Sequence, residues 1–416
     1  MTWVVLAIFL AVYAGMAAGR WPGLAVDRTG IAIIGALLMV VSGAMTPGQA
    51  LAAIDWPTLI LLFALMILSA QFALSGFYDA AAGRLAAGRV GPVTLLALVV
   101  MAAGLLSAAL SNDVVVFALA IPLARGVRGR GLDPRPFVLA LAGGANAGSA
   151  VTLIGNPQNI LIGQLGGLDF WGYALVAAVP ALAGLVAVHL AIWAVWRRRW
   201  WLAAAETTPS SPAGTIRAGA ILDRAALIKA VVALAALLVA FSTPLDHVEA
   251  AVAIAAALLV SRRIETRRLL AEVDWSLLLL FAGLFVVTAA FAQTGLPGVA
   301  LDALAAQGIA PDRLVVMAPL TLAGSNTIGN VPLVMLLLAV VPDWPPLALT
   351  ALAVLATLAG NLLVVGSLAN IIAVERARQA GVVIGFAIHA RAGIPMTLAG
   401  MIVAVLWFWG IGGLPL

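Results

Sequence analysis

The 416-residue chain contains no cysteine, which excludes a disulfide framework, thiolate metal ligands, haem attachment and a cysteine nucleophile, and leaves its redox compartment open. Its three histidines, His189, His247 and His389, are too few and too scattered for a zinc site. Only 9% of residues are charged, against roughly a quarter in soluble domains, which excludes an ordinary soluble fold. An enzyme would need a nucleophile with its base, or a metal set, and the sequence offers neither; no cofactor is expected. The formal charge of +5 would suggest nucleic acid, but its distribution ties it to a membrane instead.

What the chain has in abundance is apolar runs of about 17 to 25 residues, the length that crosses roughly 30 Å of hydrocarbon. Ten spans are predicted, near 2–18, 30–45, 57–75, 137–165, 172–196, 225–241, 247–261, 275–292, 347–372 and 392–411. Two further stretches, 92–124 and 312–341, are too long for one span and are interrupted by Ser111-Asn112-Asp113 and by Ser325-Asn326-Thr327. Each reads as a re-entrant hairpin, whose non-helical tip must be buried in protein or line a wet cavity. With the N-terminus outside, the cytoplasmic segments collect 21 of the 22 basic residues, leaving only Arg313 external. This bias predicts a multi-pass protein of the cell or inner membrane with both termini external. Reading either hairpin as one plain span would invert everything after it and destroy the bias. No basic region follows Met1, so the first run is expected to be a retained span. Trp3, Trp56, Trp171 and Trp344 at external span ends, and Trp21, Trp196, Trp200 and Trp201 at cytoplasmic ones, read as interfacial anchors. The cytoplasmic arginine runs read as orientation signals and lipid headgroup contacts.

The segment Asp55-Trp56, an apolar run, then Phe63-Ala64 recurs as Asp274-Trp275, an apolar run, then Phe281-Ala282. Gly76 and Gly295 each open a short amphipathic stretch some twenty residues on, and a hairpin follows each. After the hairpins, residues 152–159 align without gaps on 363–370. Four landmarks in one order make an internal repeat: 1–200 and 224–416, joined by a cytoplasmic linker, 201–223. The Asp55 helix starts outside and the Asp274 helix inside, so the copies are inverted. The expected fold is all-α and polytopic, with five spans and one hairpin per repeat and broken helices, 137–165 and 347–372, meeting at mid-membrane. That arrangement describes secondary transporters.

Each half carries two polar breaks. Those of the first hold Ser111, Asn112, Asp113, Asn146, Thr152, Gly155, Asn156 and Asn159; those of the second hold Ser325, Asn326, Thr327, Asn330, Asn361, Gly366, Ser367 and Asn370. A helix broken at glycine frees carbonyls for a cation and amides for an anion, and Asn, Ser and Thr add neutral oxygen ligands. An amide at mid-membrane is costly, which argues for function in the asparagine cluster, whereas small-residue packing of close helices is the better account of any lone glycine. Sodium is expected at Asn112, Asp113 and Asn156, and at Asn326, Ser367 and Asn370. Asp113 is the sharpest residue: either it carries a coupled proton or binds sodium, or it merely caps a hairpin arm. Its counterpart by the Ser-Asn-Xaa pairing, Thr327, is uncharged; pairing through Asn330 instead would shift the match by four residues. His189 reads as a hydrogen-bonded core histidine, and Asp55, Asp79, Asp274 and Asp302 as caps or interfacial residues.

Asn112-Asp113, Gly155-Asn156-Pro157-Gln158-Asn159, Asn330-Val331-Pro332 and Gly366-Ser367-Leu368-Ala369-Asn370 together resemble the ion transporter superfamily over nearly the whole chain. That group comprises arsenite permeases, citrate transporters, sodium/proton antiporters and divalent anion/sodium symporters. Ser325-Asn326-Thr327 is similar to the symporters' tip motif, whose residues contact sodium and carboxylate; Ser111-Asn112-Asp113 departs from it. The resemblance implies an elevator motion of the hairpin-bearing part, commonly in a dimer. The expected function is proton- or sodium-coupled transport of an anion or oxyanion, such as a small inorganic or carboxylate ion, with arsenite or antimonite efflux or sodium/proton exchange as alternatives. No arginine or lysine lies deep in a predicted span, so an anionic substrate is expected to meet no fixed cation.

Overall fold

Aspartates start the helices of this chain: Asp27, Asp55, Asp169, Asp223, Asp246 and Asp274 each cap one by accepting an amide bond from its first turn. The computed structural model describes residues 1–21, 23–88, 90–202, 222–341, 343–412 and 414. Most of the expected linker, 203–221, lies outside them, as does Arg89. The described residues form twenty α-helices and no strand, with two isolated β-bridges. The first ten are α1 (Thr2–Ala18), α2 (Arg28–Val41), α3 (Pro47–Ala53), α4 (Trp56–Leu74), α5 (Phe77–Ala87), α6 (Pro92–Ala109), α7 (Asn112–Gly129), α8 (Arg135–Ser149), α9 (Pro157–Gly166) and α10 (Phe170–Trp196). The second ten are α11 (Arg224–Ala240), α12 (His247–Leu259), α13 (Thr266–Ala271), α14 (Trp275–Ala292), α15 (Leu296–Ala305), α16 (Leu314–Thr327), α17 (Asn330–Val340), α18 (Pro346–Ala359), α19 (Leu368–Gln379) and α20 (Phe386–Gly410).

Among the described residues five helices, α4, α6, α10, α14 and α20, are long and apolar enough to cross a membrane, and α1, α2, α12 and α15 to α18 are shorter apolar ones. Large apolar side chains stand exposed along α10 and α20, Leu175 at 76% among them, as a lipid-facing surface requires. The most deeply buried helices are α8 and α18, enclosed by neighbours on every side. Glycine lets α6 lie against α8: a Cβ on Gly148 would overlap the Gly104 backbone.

The two sets of ten follow one another in matching order. Asp55 caps α4 through the Thr58 amide and Asp274 caps α14 through the Leu277 amide. Trp56 Nε1 donates to Leu51 O at 3.3 Å, and Trp275 Nε1 to Leu270 O at 3.0 Å. Gly76 and Gly295, both left-handed, stand before α5 and α15. Contacts cross between the sets: α2 packs on α14, α4 on α12, α7 on α19, α9 on α17 and α10 on α20.

Several boundaries differ from the sequence expectation. The first hairpin runs to Gly129, because the polar end of α7, with Arg125 and Arg128, stays helical beyond the apolar stretch. The second turn is at Ile328-Gly329, and Ser325-Asn326-Thr327 form the last turn of α16. Gly329 stands at φ 96°, a conformation that side-chain-bearing residues avoid, so the chain reverses there and not three residues earlier. Trp196 and Trp200 are buried against protein instead of facing the interface.

Candidate functional site: two interlocked breaks and a charged cavity

Helix α8 ends at Ser149 and α9 begins at Pro157; α18 ends at Ala359 and α19 begins at Leu368, with one 3-10 turn at Val364–Gly366 between. These gaps leave carbonyls without helical partners, and one asparagine serves each gap. Asn159 Nδ2 lies 3.3 Å from Ser149 O and 3.0 Å from Thr152 O, and Asn370 Nδ2 lies 2.8 Å from Gly360 O and 3.1 Å from Leu363 O. The acceptor ends are held by the opposite half. Thr357 Oγ1 donates to Asn159 Oδ1 at 3.3 Å, and Asn146 Nδ2 donates to Asn370 Oδ1 at 3.3 Å.

Asn146 on α8 and Thr357 on α18 are therefore the hubs. Asn146 Oδ1 accepts from Asn112 Nδ2 at 2.9 Å and from Ser367 Oγ at 3.0 Å, while its amide donates to Asn361 Oδ1 at 2.8 Å. Thr357 Oγ1 accepts from Asn156 Nδ2 at 3.3 Å and Gln158 Nε2 at 3.0 Å. Each break is thus tied through buried amides to the helix that precedes the other. Buried His389 adds a contact of 3.3 Å from Nε2 to Asn361 O.

The hairpin tips dock on this lattice. Asn112 N donates to Gly155 O at 3.0 Å, and Thr152 Oγ1 to Ala108 O at 2.6 Å. On the other side Ser325 Oγ donates to Ala356 O at 3.3 Å, and Asn326 donates to Ala359 O at 2.8 Å while accepting from Leu363 N at 3.1 Å. A Cβ on Gly366 would overlap Asn326 Oδ1. Thr327 is not brought in: it is exposed and bonds to its own helix at Ala323 O. Counted from the helix starts, α7 at Asn112 and α17 at Asn330, the position that matches Asp113 is Val331 and not Thr327.

Beside the lattice lies a cavity of about 570 Å³. Its walls are the starts of α2 and α14 (Asp27, Arg28, Thr29, Asp274, Ser276), the first tip (Asn112, Asp113), the second tip (Gly329 to Pro332), Gln158 and Ser367. Three carboxylates and one guanidinium face it. Asp27 and Asp274 are engaged as caps, accepting from Gly30 N at 2.9 Å and Leu277 N at 3.0 Å. Asp113 caps nothing, since α7 has no side-chain cap, and among the described residues it forms no hydrogen bond or ion pair. Arg28 is likewise unpaired among them and lies beside Gly329: a Cβ there would be 3.9 Å from Nη1. This overturns the expectation that no fixed cation is available, because Arg28 counts as a flanking charge along the chain yet folds over the cavity. Among the described residues Asn112 Oδ1 is buried without a donor.

Of the two expected sodium sets, most oxygens are already used. Asn156 Oδ1 accepts from Asn159 N at 2.9 Å, and Asn326 and Asn370 accept the bonds given above. Among the described residues the side-chain oxygens of these sets that accept no hydrogen bond are Asn112 Oδ1, the Asp113 carboxylate and Ser367 Oγ, which donates to Asn146 Oδ1. No group of three His, Asp or Glu able to hold a metal exists among the described residues. Sequence reading missed Arg28, Gln158, Thr357 and His389 as site residues; only Gln158 had a signal, its place inside the quoted Gly155 to Asn159 run. His189, expected to be hydrogen-bonded, has a buried Nδ1 with no partner among the described residues, because its apolar helix offers none.

Known proteins resemble the chain in sequence and in fold. An uncharacterized transporter of Mycobacterium tuberculosis (strain ATCC 25618 / H37Rv) is 29% identical over 435 residues, covering 98% of both chains. The silicon efflux transporter LSI3 of Oryza sativa subsp. japonica is 30% identical over 446 residues, covering 91% of both. A YdaH transporter from Alcanivorax borkumensis shares the fold, with a TM-score of 0.55 at 15% identity over 99% of this chain and 98% of that one. The family model described as citrate transporter matches residues 4–344, and the chain belongs to that family of membrane transporters.

Proposed function

We propose that the protein is an ion-coupled secondary transporter that moves a small oxyacid, as the weak acid or its anion, across the cell membrane by alternating access. The observation that carries this is the cavity, where Asp113 and Arg28 meet both hairpin tips and the second break from one side. That side is where α1 ends and α2 and α14 begin, which the arginine distribution assigns to the cytoplasm, so the structure is read as inward-open. The two sets of ten helices are read as inverted repeats of five spans and a hairpin each, with the matched caps and the twin Asn159 and Asn370 bonds as support. Both termini are then external.

Charge decides among substrates. Three carboxylates against one guanidinium oppose a polyanion such as citrate and suit a species with one negative charge or none. The silicon efflux relative fits that class. Asp113 carries the coupled proton in this reading, since Asp27 and Asp274 are held as caps. A second reading, sodium as the coupling ion, is favoured by the orphaned Asn112 Oδ1 next to the Asp113 carboxylate.

Everted membrane vesicles test both. Silicic acid, arsenite and citrate are offered under an imposed pH or sodium gradient, and the expected result is gradient-driven uptake of a weak oxyacid. Asp113→Asn abolishes the dependence on the gradient. Uptake that prefers citrate, or that is equally coupled in Asp113→Asn, defeats the reading.

A further inference from the structure

We propose that the arginine-lined pocket where the ends of α8, α10 and α20 meet is a binding site for an anionic phospholipid headgroup, with a two-phosphate lipid as the preferred ligand. The pocket holds about 800 Å³, and its polar wall is Arg135, Arg197, Arg198, Arg199 and Arg391, with Asp133. The run that carries three of these arginines is pinned in place. Leu132 and Trp201 form an antiparallel bridge, Asp133 N donates to Trp200 O at 2.8 Å, and Leu202 N donates to Gly131 O at 3.0 Å. Trp200 is buried with its ring centroid 6.0 Å from that of Phe137. The arginines are therefore presented on a fixed turn.

Among the described residues, most of their charge is not spent on ion pairs. Asp133, the one carboxylate of the wall, is held by Arg135 at 2.9 Å. Arg197, Arg198, Arg199 and Arg391 form no ion pair among the described residues, and the Arg197 guanidinium rests 5.8 Å from the centroid of the Trp193 ring. A guanidinium grips phosphate oxygens in pairs, so four of them match two phosphates.

Apolar surface leads to the same place, which favours a lipid over free phosphate. On α10, Leu182, Val186 and Leu190 are exposed at a spacing of four and lead to Ala194 in the pocket wall. On α20, exposed Ile402, Leu398 and Ile394 lead at spacings of four and three to Arg391. Acyl chains lying on these stripes would place their headgroup among the arginines.

The test is native mass spectrometry of the purified full chain in detergent, titrated with cardiolipin, phosphatidylglycerol, phosphatidylethanolamine and inorganic phosphate. Cardiolipin is expected to bind in preference to the other two lipids. The double variant Arg198→Gln/Arg391→Gln should lose roughly twenty-fivefold in affinity, about fivefold for each guanidinium removed. Arg262→Gln/Arg267→Gln, two exposed arginines elsewhere, should bind as the parent does, and all three proteins should melt alike, since each side chain replaced is exposed. Equal cardiolipin binding by the two double variants, or displacement of cardiolipin by millimolar inorganic phosphate, overturns the proposal.

Discussion

Arg28 and Asp113 bring opposite charges to one cavity, and among the described residues neither forms an ion pair. Both are half-buried, and ionisable groups left without a partner in such a place are costly, so their presence argues for a ligand that each contacts during the cycle. A charge-assisted hydrogen bond contributes about 1.5–3 kcal/mol, which corresponds to roughly ten- to a hundredfold in affinity. Arg28→Gln should therefore raise the half-saturating concentration of an anionic substrate by at least about tenfold, with Arg28→Lys recovering part of it. Concentration-dependent uptake into vesicles measures this, and an unchanged value would show that the substrate passes Arg28 as a neutral species.

Among the elements, the two breaks form a single structure because each is tied to the helix preceding the other. Asn159→Ala and Asn370→Ala each strip hydrogen bonds from two break carbonyls and should cost similar amounts, about 1–3 kcal/mol apiece. Melting of the two variants in detergent reads this, and a loss confined to one of them would mean that the breaks are not equivalent. Against α6, Gly148→Leu has no room, since even a Cβ overlaps the Gly104 backbone; overpacking of at least about 1–3 kcal/mol is expected, seen as loss of monodisperse protein in detergent. Gly329→Ala should cost about 1–3 kcal/mol, because its positive φ with an extended ψ is a conformation essentially reserved for glycine, and should melt lower while its hairpin still forms.

For the whole molecule, the absence of cysteine makes orientation directly measurable. Ser276→Cys, in the cavity wall, should react with an impermeant maleimide in everted vesicles and not in right-side-out cells. Leu245→Cys, exposed between α11 and α12, should do the reverse. Labelling of both from one side would break the assignment of the α14 start to the cytoplasm and of the α11–α12 turn to the outside. Addition of a transported oxyacid with its coupling gradient should slow the Ser276→Cys reaction as the population shifts toward an outward-facing state.

The membrane solvent, the helical class, the order of the landmarks and the family were legible from the sequence, because apolar run length and the placement of arginine are one-dimensional properties set by the bilayer. The chemistry of the breaks was half legible. Asn112, Asp113 and Asn156 announced themselves as polar groups where lipid tolerates none, yet their bonding depends on which helix from the other half arrives beside them. Tertiary structure alone made Asn146 and Thr357 the hubs, moved the second turn to Gly329 and matched Asp113 to Val331. It also folded Arg28 from a span end onto the cavity and buried Trp196 and Trp200. The physical reason is common to all of these. A span needs only its own residues to satisfy its backbone, whereas a broken helix must borrow partners from segments some 200 residues away, and no local pattern records the loan.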